Sequence, residues 1–133
     1  MIHKISYKSD GYVALMAVLI VGAASVAISL ALLITGADSQ RSSLVTQQSA
    51  QALSLASACA EEALQQIHDD TAYTGSDNLT LGQGTCTYTV TNTGGSNRTI
   101  DTTGTVNIDT RKLKIYATIG VSSISITSWQ EVS

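Results

Sequence analysis

The uncharged stretch over residues 12–35, YVALMAVLIVGAASVAISLALLIT, constrains this chain more than any other feature. A run of that kind has two environments open to it, lipid or the inside of a protein, because burying it anywhere costs no charge. As a helix rising ~1.5 Å per residue it is long enough to cross the ~30 Å hydrocarbon core of a bilayer. Lys4 and Lys8 precede it and Asp38 follows it, so the positive-inside bias keeps the first residues in the cytoplasm and sends the rest of the chain out. Ordinary secretory cleavage after Ala23 would satisfy the small-residue rule at Val21-Gly22-Ala23. It would also leave residues 24–34 as a second apolar stretch with no core to bury it.

With that run set aside, a chain of 133 residues has room for one compact core. Only 13% of its residues are charged, there is no Pro and no Phe, and Thr, Ser and Gly dominate residues 71–128. That is the texture of a secreted β-rich domain rather than of a cytosolic enzyme. A formal charge of −3 and a pI near 5.1 run against the phosphate-neutralising surface that nucleic-acid binding needs, so nucleic acid is not an expected partner.

After Gly36 the chain turns amphipathic without a breaker. Leu44, Gln48, Leu55, Cys59, Ala63 and Ile67 recur as one helical face should, and Ala and Gln fill many positions between them. The pattern predicts one continuous helix over residues 12–68, apolar all round in residues 12–35 and amphipathic in residues 36–68. Residues 69–84, polar and punctuated by glycine, read as a loop. Beyond them the period changes to two. Cys86, Tyr88 and Val90 share one face of a first strand. Ile100, Thr102, Gly104, Val106 and Ile108 share a face of a second, and Leu113, Ile115, Ala117 and Ile119 a face of a third.

A two-residue turn at Asp109 and Thr110 would pair Val106 with Leu113 and keep both apolar faces on one side. In the last strand Ile124 and Ile126 point inward, and Trp129 has the opposite parity, which calls for a bulge or for packing elsewhere. The predicted fold class is α+β: a long N-terminal helix packed on a four-stranded antiparallel β-meander, residues 69–133, which needs the amphipathic half of the helix as its cover.

Cys59 and Cys86 fall on the two faces expected to meet. In an extracytoplasmic domain this suggests a disulfide clamping helix to sheet; two separate buried thiols are the other reading. No metal site or cofactor is expected, for want of ligands at suitable spacing. Nor does a catalytic group stand out: His68, in the run His68-Asp69-Asp70, reads as a helix end beside a solvated loop, so an enzyme is not expected. Arg111, Lys112 and Lys114 form the basic cluster, expected on the outward face of their hairpin where they can answer Asp101 and Asp109.

Taken together, the short hydrophilic leader MIHKISYKSDG over residues 1–11, the glycine at its end, the aromatic Tyr12 after it and the apolar helix that turns amphipathic resemble a type IV pilin-like protein, the class of minor pilins and type II secretion pseudopilins. The resemblance implies that a prepilin peptidase cuts between Gly11 and Tyr12 and N-methylates Tyr12. It further implies that the helix holds the subunit in the membrane until inner-membrane assembly machinery moves it into a filament of other pilin subunits at the cell surface. Two positions depart from the pattern. Asp10 stands where a basic residue is usual, and Met16 stands where the class carries a Glu thought to neutralise a neighbour's N-terminal ammonium. Outside that class, the same features would fit a single-pass anchored exoplasmic binding domain that never polymerises and keeps its first eleven residues.

Overall fold

A computed structural model describes residues 10–133. The leader residues before Asp10, Lys4 and Lys8 among them, lie outside the described residues. Helix α1 (Asp10–Asp69) runs for 60 residues and is followed by five strands: β1 (Gly75–Leu81), β2 (Gly84–Gly94), β3 (Asn97–Val106), β4 (Asp109–Ile119) and β5 (Ile124–Val132). The chain divides into two compact units between Ser42 and Ser43.

In the first unit the described residues are helical, and residues 11–42 are exposed throughout. The hydroxyls in the apolar run are satisfied locally. Ser25 donates to the Val21 carbonyl at 2.8 Å, Ser29 to Ser25 at 2.8 Å and Thr35 to Ala31 at 2.9 Å. A continuous helix, which pairs its backbone groups internally, with these hydroxyls tied back to carbonyls, suits the condition lipid imposes. It is long and apolar enough to cross a membrane.

In the second unit the strands form one antiparallel meander in sequence order, β1 to β5. The expectation of four strands is corrected to five. Residues 75–81, read as loop, form β1, an edge strand in which Leu79 alone is half-buried and packs on the core. The core lies between one helical face and the inner faces of β2, β3 and β4. Ala52, Ala56, Cys59, Ala60, Ala63 and Ile67 are fully buried, against Cys86, Tyr88, Val90, Ile100, Leu113 and Ile115. Of the predicted helical face, Cys59, Ala63 and Ile67 are buried, Gln48 and Leu55 are half-buried, and Leu44 is exposed.

The small residues of that face let the helix lie unusually close to the sheet. A Cβ on Gly104 would collide with the Ala52 carbonyl oxygen and come within 2.6 Å of the Ala56 nitrogen, so only glycine fits there.

The third hairpin corrects the expected register. Val106 pairs with Asp109 and Gly104 with Arg111, so the turn is Asn107-Ile108 rather than Asp109-Thr110. Asn107 adopts φ 57°, a left-handed conformation that asparagine tolerates. Moving the turn by two residues conserves parity, so Leu113, Ile115 and Ala117 still face inward and are buried. Ile108, expected on the inner face, sits at the turn and is 85% exposed. In β5 the register shifts so that Ala117 pairs with Ile126 but Tyr116 with Ser128, leaving Thr127 as a bulge. The bulge returns Trp129 to the inner face, opposite Ile115, at the sheet margin where it stays 40% exposed.

Candidate functional site

The two positions that the resemblance singles out for processing lie at the start of the described part of α1. Gly11 is exposed, with nothing within 4 Å of where a Cβ would stand, and Tyr12 is 65% exposed. Met16 follows on the same helix, 42% exposed, and no carboxylate occurs between Tyr12 and Thr35.

The cysteines meet as the face assignments anticipate. Cys59 on α1 and Cys86 on β2, both buried, form a disulfide across a sequence separation of 27, with 6.0 Å between their Cα atoms. The bond pins the centre of the helix segment to the sheet. In the loop-closure picture a link of this span contributes about 3 to 4 kcal/mol.

Two arginines bracket the same interface, one at each end. Arg98 is 6% exposed because it has the parity of Ile100 on β3 and therefore points under the helix end. Its guanidinium donates to the carbonyls of Gly95 at 2.9 Å, Asn97 at 3.1 Å and Thr71 at 2.8 Å. The Thr71 bond ties β3 to the chain just past the C-terminus of α1, where unpaired carbonyls favour a cation.

At the other end Arg111 reaches back to the helix, donating through Nε to Ser49 Oγ at 2.8 Å and through a second nitrogen to the same oxygen, while its third nitrogen pairs with Glu131 on β5 at 2.7 Å. This corrects the basic cluster: Arg111 opposes Gly104 on the helix-facing side of the sheet, so the three cations do not share one face. Lys114 does answer Asp101 on the outer face, at 3.2 Å between half-exposed side chains.

Among the described residues Tyr88 is the deeply buried group with a strong electrostatic signature. Loss of hydration inside the core, aided by a hydrogen bond with Tyr73, pushes its phenol well above the ordinary range. It stays neutral at any physiological pH. Asp69 titrates below the usual carboxylate value because Gln65 and then His68 bond its carboxylate, yet it is exposed and belongs to a solvated helix end. Among the described residues no group of three or more His, Cys, Asp or Glu side chains converges as a metal site would.

No protein-family model, no curated protein and no solved structure matches this chain.

Sequence reasoning named Cys59 and Cys86 and missed Arg98, Ser49 and Glu131. For Arg98 the signal was present, since it alternates in step with Ile100 and Thr102 and so shares their inward face. For Ser49 and Glu131 it was not, because their meeting depends on the register set by the Asn107-Ile108 turn.

Proposed function

We propose that this chain is a structural subunit, major or minor, of a type IV pilus-like or pseudopilus filament, cut by a prepilin peptidase after Gly11 and without catalysis of its own. The observation that supports this reading best is the division of labour along one 60-residue helix. Residues 11–42 expose every side chain, while the stretch from Ala52 to Ile67 is one-sidedly buried and cross-linked to a sheet. Such a helix serves two hosts in turn, lipid first and the apolar interior of a polymer afterwards, with an exoplasmic head fixed to it.

Met16 favours a second reading, the single-pass anchored binding domain. A filament core with a free N-terminal ammonium gains from a carboxylate partner, and the apolar run offers none. Shear fractions of the native source, imaged with an antibody to the head, test the first reading. Filaments decorated along their length or at a tip support it. Label confined to the cell membrane in a cell that carries filaments contradicts it.

A further inference from the structure

Two tripeptides of the second unit, Asn78-Leu79-Thr80 and Asn97-Arg98-Thr99, carry the Asn-x-Ser/Thr pattern that accepts an N-linked glycan. Such a pattern is read through two side chains, the carboxamide that takes the sugar and the hydroxyl two residues on, so both have to be reachable. The fold treats the two copies differently. Asn97-Arg98-Thr99 opens β3, an inner strand, with Asn97 paired to Gly94 on one side and to Thr118 on the other. The Asn97 carboxamide oxygen accepts from the Thr118 hydroxyl at 3.0 Å, which fixes its rotation. Arg98 is buried and donates to the Asn97 carbonyl at 3.1 Å. Thr99 is 6% exposed, and its hydroxyl oxygen is out of reach of solvent. Here the pattern is present and closed.

Asn78-Leu79-Thr80 lies inside β1, at a free edge of the sheet. Antiparallel pairs alternate between bonded and open, and the two-residue turn at Gly82-Gln83 makes Leu81 and Gly84 a bonded pair. Asn78 opposite Thr87 and Thr80 opposite Thr85 are therefore open pairs, with their backbone groups turned away from β2. The Asn78 N–H shows this, since it donates to the Asp77 carboxylate at 2.7 Å. Both side chains are exposed on the sheet face opposite the helix, while Leu79 between them turns inward onto the core. Across the strands Asn78 continues into Thr87 and Thr103, short hydroxyl side chains that leave room for a sugar and offer it hydrogen bonds. From this contrast we infer that Asn78 is an N-glycosylation site of the folded head and that Asn97 is not. The inference rests on the exoplasmic placement of the head in the reading above, the side on which a transferase meets a lipid-linked, phosphate-activated sugar. In the transfer the Asn78 Nδ2 forms a bond to the anomeric carbon and the bond from that carbon to the phosphate oxygen breaks. The lipid phosphate leaves with the electron pair, and one amide proton passes to the transferase.

The test is mass spectrometry of the full chain made in its native source, as wild type and as Asn78→Gln, Asn97→Gln, Thr80→Ala and Thr80→Ser. Retention of the Cys59–Cys86 bond, read as absence of thiol labelling, checks folding of each variant. The wild type is expected to carry whole sugar residues over and above any processing of its N-terminus, with fragmentation placing them on Asn78. Asn78→Gln and Thr80→Ala are expected to lose that mass completely, and Asn97→Gln and Thr80→Ser to keep it. The return of the sugar with serine at position 80 separates recognition of the hydroxyl from any other modification of Asn78. A bare Asn78 in the wild type overturns the inference, as does sugar on Asn97 or sugar that survives Asn78→Gln. Fragments containing the N-terminus report separately on the reading beneath it: a chain that begins at Tyr12 with a bare Asn78 sinks the glycan and leaves the processing standing.

Discussion

The two halves of α1 are made of similar residues and do opposite things. Residues 12–35 and the stretch from Ala52 to Ile67 are both rich in Ala and Leu, yet the first exposes all its apolar side chains and the second buries one face completely. What separates them is the partner. The second stretch has alanines where the sheet comes closest, a glycine opposite them at position 104 and a cysteine at position 59 to lock the contact. The first has β-branched and leucine side chains in every direction, suited to lipid or to copies of itself. Apolar content therefore says that a helix will be buried, and the pattern of small residues says against what.

That contrast can be broken in several ways. The largest effect is expected from removing the clamp. Cys59→Ala with Cys86→Ala should lower the stability of the head by about 3 to 4 kcal/mol in denaturant titration, and reduction of the wild type should do the same.

Next comes a pair of identical substitutions with opposite signs. Gly104→Ala forces a methyl into the Ala52 and Ala56 backbone and should cost about 1 to 3 kcal/mol. Gly36→Ala, with nothing within 4 Å, should raise helix stability by up to about 1 kcal/mol. Equal effects at the two sites, read by the same melts, would erase the distinction between the halves.

Arg98→Met removes a guanidinium that serves three carbonyls and should cost about 1 to 3 kcal/mol by leaving buried acceptors unpaired. The Tyr88 phenol gives a pH signature. Because its pKa is raised by folding, its contribution is complete below the ordinary value of 10.0 and is lost as pH climbs above it. Stability should accordingly fall in the alkaline range, and Tyr88→Phe should flatten that fall, as followed by circular dichroism against pH. The smallest change is expected from Glu131→Gln, a few tenths of a kcal/mol, since the pair with Arg111 is about half exposed.

Much of this architecture was legible because alternation and helical periodicity encode faces. The inner residues Cys86, Tyr88, Val90, Ile100, Leu113 and Ile115 follow from parity alone, and two faces that must meet suggest the disulfide without excluding two separate thiols. Register is a different kind of information. Shifting the third hairpin turn from Asp109-Thr110 to Asn107-Ile108 preserves every face from β4 onward, so the apolar pattern is blind to it. It nevertheless decides that Arg111 lies opposite Gly104, within reach of Ser49. β1 escaped notice because an edge strand with a single packed residue, Leu79, has almost no apolar alternation to read. Trp129 announced its bulge by wrong parity, but only the pairing of β4 with β5 places the extra residue at Thr127. The proposed processing junction at Gly11 and Tyr12 is legible only as a resemblance, and both residues are exposed in the structure.

Intact-mass measurement of the protein purified from the membranes of its native source addresses that junction most directly. The filament-subunit account predicts a mature chain beginning at Tyr12, lacking the first eleven residues and heavier by one methyl group, with the Cys59–Cys86 bond intact. A chain that still carries residues 1–11, or one that begins at Ala24, would contradict it.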